Sequence, residues 1–322
     1  MPEVFRATPL DAAPRLAAAL GLGALWVKRE DLAGTAFGGN KLRQISLILA
    51  EARKAGADTV ITTAASQSNF CRALSGAAAR AGLACHLLLR RAGGTAMQGN
   101  LLLDHVFGAA IHWTDVTDPW DPAIDAELDA IAQAVRREGG RPYLVRLPGR
   151  TAALAASAWA HGAAELAADL AAVDARPDAV VVACGSALTA CGLALGLPRA
   201  GVTASVLGVS VQQPVTRLGP WCDDVIARTA MLLGWTDASH RLVLTDDQIA
   251  PGYGRASEAS RPAVLLAGRT EGLVLDPVYT GKALAGLAAA VGGLIPRAGS
   301  AVLIHSGGAP GLFLHADDME LR

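Results

Sequence analysis

Short runs rich in β-branched residues alternate with longer runs rich in alanine and leucine along most of the 322-residue chain. A strand followed by a helix, repeated several times, favours a parallel sheet covered by helices on both faces. The run AVVVA at 179–183 lacks the alternation of apolar and polar residues that a half-exposed strand shows, as expected of a strand buried on both sides. The sequence therefore predicts an α/β protein.

The boundaries of the predicted elements follow from the same pattern. In the helix predicted at 122–138, Asp121 suits the N-cap and Pro122 suits the first helical position. Strands are predicted at 25–28, 59–62, 84–89, 179–183, 205–210 and 301–305. Helices are predicted at 42–55, 69–81, 95–107, 122–138, 151–172, 189–195, 215–233 and 280–290, with a last short one after Pro310.

Composition and charge narrow the classes of partner. The formal net charge is −1 and the arginines are scattered, whereas nucleic acids and anionic membranes attract proteins with a clustered basic excess. No long uncharged apolar run predicts a membrane span, and Asp11 and Pro14 interrupt any signal peptide. The expected partner is a small molecule, not a nucleic acid or a membrane.

Cysteine and histidine usage indicates the compartment and the absence of a metal. The five cysteines form no CxxC pair, which favours free thiols in a reducing compartment. The histidines form neither HExxH nor a compact cluster with cysteines, so we expect no metal site. We therefore expect a cytoplasmic protein.

Ligands of open α/β sheets usually bind beyond the carboxyl ends of the strands, so the strand-to-helix loops carry the most information. In one of them, Gly38 and Gly39 let the backbone turn before a helix, and Asn40 suits the N-cap, which places Lys41 in the first turn. The helix N-terminus and partial burial both favour a neutral amine, as a lysine needs to bond an aldehyde cofactor. The alternative is an ordinary surface lysine.

A second loop, 64–69, follows the predicted strand 59–62 and precedes an alanine-rich helix. Polar side chains and N–H groups at a helix N-terminus bind carboxylate or phosphate, which makes Ser66, Gln67, Ser68 and Asn69 candidate binding residues. The alternative is simple N-capping by Ser66 or Ser68.

A third loop, CGSALTACG at 184–192, follows the AVVVA strand. A buried strand, a small-residue loop and a helix form an anion cup, although the loop is neither a Walker loop nor GxGxxG. The alternative is a tight turn packed with small residues. The candidate cup residues are Gly185, Ser186, Ala187, Leu188 and Thr189.

A fourth group of loops contains GYG at 252–254 and EGLVLDPVYTGK at 271–282. Two of the three tyrosines of the chain, Tyr253 and Tyr279, lie in these loops. Their alternative role is packing at the edge of the core. HSGG at 305–308 also follows a strand, and its backbone can form a second anion cup.

Together, the order and spacing of these motifs are specific. The chain resembles the D-cysteine desulfhydrase and 1-aminocyclopropane-1-carboxylate (ACC) deaminase family of pyridoxal-phosphate (PLP) enzymes over nearly its whole length. The resemblance implies a tryptophan-synthase-β-like fold (PLP fold type II) with two open twisted sheets, helices on both faces, and a homodimer. We expect a larger cofactor domain at 1–47 and 151–322 and a smaller inserted domain at 48–150. The motifs are KREDL (28–32), GGNKLR (38–43), QSN (67–69), GYG (252–254), EGLVLDPVYTGKA (271–283) and HSGG (305–308).

The resemblance also implies residue roles. Lys41 corresponds to the lysine that holds the cofactor and carries the Cα proton. Ser68 corresponds to a substrate-contacting residue that assists proton transfer, and Asn69 to the residue that bonds the phenolic oxygen of PLP. Thr280 falls where the pyridine nitrogen is contacted. Tyr253 and Tyr279 correspond to the two active-site tyrosines, residues 66–69 to the substrate carboxylate site, and Gly185, Ser186, Ala187, Leu188 and Thr189 to the phosphate cup.

Two loops depart from the family pattern. The cup usually reads GSGGT, whereas here Ala187 and Leu188 replace glycines and would obstruct the phosphate if those positions need a positive φ. A loop usually of the form GGSN is here PGRT at 148–151. Both departures bear on substrate identity and on how tightly the cofactor binds.

The implied activity is α,β-elimination from a β-substituted amino acid, as in a D-cysteine desulfhydrase, by a carbon–sulfur lyase or deaminase. Thr280 stands where ACC deaminases carry glutamate, which favours elimination over cyclopropane ring opening. Two alternatives stay open. Arg150 or Arg255 would pair with an anionic substrate such as cysteate, or the chain is a degenerate, non-catalytic PLP-binding protein.

Overall fold

The strands of the protein form two separate sheets. The computed structural model describes residues 4–91, 94–118, 121–146 and 149–319. The larger sheet has the order β1-β2-β10-β7-β8-β9, and only β1 runs antiparallel to its neighbour. Its strands are β1 (Leu10–Ala12), β2 (Ala24–Lys28), β7 (Ala179–Cys184), β8 (Ser205–Ser210), β9 (Leu242–Thr245) and β10 (Ser300–Ile304).

The smaller sheet is entirely parallel and has the order β5-β4-β3-β6. Its strands all lie between residues 59 and 144, which is inside the predicted inserted domain. The domain limits themselves stay a prediction. The strands are β3 (Thr59–Ala65), β4 (Ala84–Arg90), β5 (Ala110–Thr114) and β6 (Pro142–Leu144).

Helices cover both faces of each sheet. Within the described ranges, none of them is long and apolar enough to cross a membrane. They are α1 (Pro14–Leu20), α2 (Lys41–Lys54), α3 (Asn69–Ala81), α4 (Gly99–Val106), α5 (Pro122–Arg137), α6 (Arg150–Ala172), α7 (Leu188–Gly196), α8 (Val215–Leu232), α9 (Ser260–Glu271), α10 (Thr280–Ala290) and α11 (Ala309–Leu314).

The valines of β7 show why this strand lacks alternation. Val180 and Val182 pack into a core formed with α6, α7 and α8, whereas Val181 packs on the opposite face with α1, α9 and α10. All three side chains are fully buried, and each contributes about 1.5–3 kcal/mol by leaving water. The prediction of a strand buried on both faces is confirmed.

Local signals set several helix ends as predicted. Asp121 caps α5 by accepting a hydrogen bond from the N–H of Ala123 at 2.9 Å, and Pro122 is the first helical residue. The helix predicted at 95–107 instead begins at Gly99. The acidic stretch at 115–121 is predicted from its turn-forming residues to be a solvated surface turn, and its positions 119 and 120 lie outside the described residues.

Candidate active site

The carboxyl ends of the parallel strands in both sheets open onto one cleft. A cavity of about 180 Å³ at its base adjoins two larger ones of about 490 and 430 Å³. Gln212, after β8, contributes to the walls of all three. Predicted site residues that line the smallest cavity are Lys41, Ser68, Asn69, Gly185, Ser186, Leu188, Tyr253 and Tyr279.

Lys41 is the first residue of α2, and two glycines place it there. Gly38 has a φ of 62°, and a Cβ at this position would lie 2.0 Å from the carbonyl oxygen of Asp31. Gly39 has a φ of 108°, and its Cβ would lie 3.2 Å from the carbonyl oxygen of Ser306. The turn therefore requires residues without a side chain.

Asn40 occupies the predicted N-cap position of α2, but its side chain makes no capping hydrogen bond. Its Nδ2 instead donates to Thr189 Oγ1 at 2.9 Å, joining the start of α2 to the start of α7. Gln44 Nε2 donates to the same hydroxyl at 3.3 Å. Thr189 thus fixes the helix that carries Lys41, and a side-chain bond across 149 residues replaces the expected local one.

Lys41 differs from the other three lysines of the chain in having an available amine. Burial lowers the pKa of Lys41 to about 8, while nearby Cys184 opposes the shift. Lys28 forms 2.6 Å ion pairs with Glu165 and Asp169. Lys54 pairs with Glu51 on the surface, and the ammonium of Lys282 donates to the carbonyl of Ile249. No bond within the described ranges engages the Lys41 amine, so it is free to react.

The loop 66–69 joins β3 to α3 at the same edge. Ser68 caps α3, and its Oγ accepts from the N–H groups of Phe70 and Cys71 at 3.2 Å each. Ser66 is fully buried, and its hydroxyl has no hydrogen-bond partner among the described residues. The capping alternative is thus observed for Ser68, which also lines the cavity.

Asn100, at the start of α4, holds this loop in place. Its Nδ2 donates to the backbone oxygen of Gln67 and to Asn69 Oδ1, both at 2.9 Å. Its own N–H donates to Gln67 Oε1 at 3.0 Å. Sequence reasoning missed Asn100, although a buried asparagine in a leucine-rich helix is a usable signal.

The predicted cup forms the turn between β7 and α7. Ala187 has a φ of 58°, so one replaced glycine does occupy a left-handed position, at a cost of about 1–2 kcal/mol. Gly185 and Ser186 line the cavity with Leu188, whereas Ala187 and Thr189 are buried. Trp221 Nε1 donates to the carbonyl oxygen of Ser186 at 3.0 Å and braces the turn. The first N–H groups of α7 have no partner inside the helix and can bind an anion.

Tyr253 and Tyr279 meet through their hydroxyls. The two oxygens are 2.6 Å apart and the rings stand nearly perpendicular at 84°. Tyr253 as a whole is 40% exposed, but its hydroxyl is turned towards Tyr279. Burial raises the pKa of Tyr253 and, with the help of Tyr253, raises that of Tyr279 well above its ordinary value. Both phenols therefore stay protonated near neutral pH and act as donors.

Asp276 organises the start of α10. Its carboxylate accepts from the N–H groups of Val278, Tyr279 and Thr280 at 2.8–3.0 Å. The Thr280 hydroxyl lies 2.8 Å from Asp276 Oδ1 and is fully buried. The proposed contact of Thr280 with a pyridine nitrogen stays a prediction.

The two arginines considered for an anionic substrate lie in different places. Arg150 is on the surface, 3.4 Å from Glu51, and does not belong to the described lining of the three cavities. Arg255 is exposed at the rim of the largest cavity. Pro148, in the altered PGRT loop, lies outside the described residues.

The side chains of the cleft fit the cofactor that the resemblance implies. An unengaged amine with a lowered pKa suits an aldehyde, and the turn at 185–189 offers N–H groups for a phosphate. A Cβ at Gly185 would lie 3.4 Å from the Tyr279 ring, so the glycine keeps open the space between cup and tyrosine. Across the described residues no three His, Cys, Asp or Glu side chains gather around a metal-sized space, and all five cysteines are buried free thiols, as predicted.

Comparisons with known proteins agree with this geometry. A family model described as pyridoxal-phosphate dependent enzyme matches residues 2–307. The D-cysteine desulfhydrase of Salmonella choleraesuis (strain SC-B67) is 39% identical over 318 residues, covering 96% of this chain and 93% of that protein. The structure of an ACC deaminase homologue is 31% identical, with a TM-score of 0.88 over 98% of this chain and 94% of that one. Escherichia coli diaminopropionate ammonia lyase in apo form, 16% identical over 98% and 87% of the two chains with a TM-score of 0.71, shares the fold. The predicted fold class is confirmed.

Proposed function

Because the chain belongs to the family of pyridoxal-phosphate dependent enzymes, we propose that it catalyses α,β-elimination from a small β-substituted amino acid. The observation that carries the proposal is one cavity that holds both a lysine with a pKa of about 8 and a hydrogen-bonded pair of protonated tyrosines. The cavity thus provides a base to accept the Cα proton and an acid to protonate the leaving group.

Lys41 is the proposed base. When bound, pyridoxal phosphate supplies an aldehyde for the substrate amine and a conjugated ring that accepts the electron pair left at Cα. Lys41, the turn at 185–189, Asn69 and Thr280 would hold this group. Once its amine is neutral, Lys41 accepts the Cα proton, and a pKa of about 8 keeps a useful fraction of the amine neutral at physiological pH.

The N-terminus of α3 is the proposed site of the substrate carboxylate. Gln67 and Asn69 are oriented there by Asn100, and the helix start attracts negative charge. Holding the carboxylate here fixes the substrate relative to Lys41 in the same cavity. This orientation lowers the entropy that must be lost in the reaction.

Tyr279 is the proposed acid for the leaving group. The hydroxyl oxygens of Tyr253 and Tyr279 are 2.6 Å apart and share one hydrogen bond that either residue can donate. Donation by Tyr253 to the Tyr279 oxygen, as the Tyr279 proton moves to the leaving group, would stabilise the phenolate that remains. With D-cysteine, the Cα–H and Cβ–S bonds break, the sulfur leaves with its bonding electrons, and a Cα=Cβ double bond forms. Addition of one water then gives pyruvate and ammonia beside hydrogen sulfide.

Two features favour elimination over ring opening of ACC. The hydroxyl of Thr280 is uncharged, so it supports a stored negative charge on the ring less than a carboxylate would. The relative at 39% identity is named a D-cysteine desulfhydrase, whereas the ACC deaminase homologue is 31% identical. We propose a homodimer in the cytoplasm, which light scattering and cell fractionation test.

The experiment compares products from D-cysteine, L-cysteine, β-chloroalanine and ACC. The proposal predicts pyruvate and ammonia from at least one β-substituted alanine, and faster turnover of it than of ACC. Formation of 2-oxobutyrate from ACC at a higher kcat/KM would replace elimination with ring opening. A holoenzyme inactive on all of these compounds would support the non-catalytic alternative.

A further inference from the structure

Arg90 is a cation in the cleft that the roles above leave unused. It is the last residue of β4, and in the register of the sheet it lies beside Ala65 on β3 and Thr114 on β5. Ala65 leads directly into the loop 66–69 that we assign to the substrate carboxylate. Arg90 thus lies at the carboxyl edge of the small sheet, where ligands of such sheets bind.

The guanidinium of Arg90 is half-buried and lines both of the larger cavities. Burial lowers its pKa, and the weaker attractions of Tyr253, Cys71 and Asp118 do not cancel that effect. Throughout the described part of the chain, no hydrogen bond or ion pair engages the guanidinium of Arg90. A partly desolvated charge without a partner is costly, and proteins normally pair such a group.

Few acids lie near Arg90 among the described residues: Asp118 attracts it weakly and does not belong to the described lining of the three cavities. Among the described residues that line the three cavities, Asp276 is the only acid, and its carboxylate is committed to the N–H groups of α10. Arg217 and Arg255 add positive charge at exposed positions. The cleft can therefore bind a second anionic group in addition to the substrate carboxylate.

We propose that Arg90 binds a negatively charged group on the substrate Cβ, so that the preferred substrate is a β-substituted alanine with an oxyanionic leaving group, such as a sulfonate. The planar guanidinium can bind two sulfonate oxygens at once. This inference rests on the proposed elimination. With cysteate, the Cα–H and Cβ–S bonds break, the C–S electron pair leaves with sulfur as sulfite, and one water completes pyruvate and ammonia without any oxidant.

The first experiment measures selectivity in the holoenzyme. We compare kcat/KM for D- and L-cysteate with kcat/KM for β-chloroalanine, in the wild type and in Arg90→Gln. The cysteate to β-chloroalanine ratio should fall by about 10²-fold, because losing one partner of a desolvated charge pair has an effect of this order. Arg90→Lys should recover part of the ratio, since it keeps the charge and loses the two-pronged geometry.

The matched control is Arg255→Gln, which removes one positive charge from an exposed position in the same cleft. It should change the ratio less than about threefold, because exposed charges are screened by solvent and salt. A second experiment uses calorimetry with 3-sulfopropanoate, which lacks the α-amine and cannot react. Its affinity should exceed that of butanoate in the wild type and match it in Arg90→Gln.

Each outcome has a distinct meaning. Turnover of β-chloroalanine without any preference for cysteate, or an unchanged ratio in Arg90→Gln, overturns the role of Arg90 and leaves elimination intact. An equal decrease of the cysteate to β-chloroalanine ratio in Arg90→Gln and Arg255→Gln would show that the effect comes from net charge alone. That result would also overturn the role of Arg90. Loss of bound cofactor from Arg90→Gln after dialysis would assign Arg90 to the cofactor instead. No product from any substrate would remove the proposed function itself.

Discussion

Replacing Asn100 with alanine tests whether the carboxylate loop depends on a residue that does not line the smallest cavity. Asn100 is 1% exposed, and its Nδ2 makes two 2.9 Å hydrogen bonds, to the Gln67 carbonyl and to Asn69 Oδ1. The variant leaves both acceptors without this donor. At about 1–2 kcal/mol for each acceptor, the loss of stability is about 2–4 kcal/mol.

Asn100→Ala should also lower kcat/KM in the molecules that remain folded. Without Asn100 Nδ2, the side chain of Asn69 can rotate away from the cavity, and a misplacement of about 1 Å costs on the order of 10²-fold in rate. Steady-state pyruvate formation measures kcat/KM, and thermal unfolding measures stability. Gln98→Ala is the control, because only the backbone oxygen of Gln98 bonds to Gln67. Wild-type kcat/KM in Asn100→Ala would refute the reasoning.

Three further variants test separate parts of the account. Lys41→Ala should abolish turnover while circular dichroism shows an intact fold, and wild-type turnover without added amine would end the assignment of the base. Tyr279→Phe should lower kcat by about 10²–10⁴-fold with little change in substrate binding, whereas an unchanged kcat in stopped-flow assays would assign Tyr279 to packing. Burial raises the pKa of Asp104 to about 7, so protonation stabilises the fold below about pH 4 and this contribution is lost as the pH rises through 7. Denaturation curves should show wild type losing stability relative to Asp104→Asn over that range, and parallel curves would contradict the shift.

Features set by local chemistry could be predicted from the sequence. Strand 205–210 has the predicted limits, and α3 begins at Asn69 as predicted. Lys41 lies in the first helical turn, as the N-cap preference of Asn40 predicts. These features depend on residues that are close together in the sequence. The local sequence pattern can therefore predict them.

Features set by distant contacts could not be predicted. The strands β1, β6 and β9 have three or four residues each, and pairing with a neighbouring strand stabilises them more than their own composition does. The α9 sequence carries a proline in its first turn and a glycine within, which weaken the helical pattern. Asn40 takes the predicted N-cap position, but its side chain bonds the distant Thr189 and not the backbone of its own helix.

The most informative site residues missed from the sequence meet only because two sheets pack together. Arg90 ends β4, Asn100 lies in the first turn of α4 and Gln212 follows β8, and each lines a cavity of the cleft. The sequence predicts many strand and helix ends, but it does not show which of them face one another. That depends on the order of the strands in the two sheets.

Borohydride reduction of the holoenzyme, followed by peptide mass spectrometry, tests the central claim most directly. The chain has four lysines, so the site of attachment is decided among few candidates. The account predicts reduced cofactor on the peptide that contains Lys41 and on no other, because this amine alone is unengaged in the cleft and has a pKa of about 8. Attachment at Lys28, Lys54 or Lys282, or an active enzyme that retains no cofactor on any lysine, would contradict it.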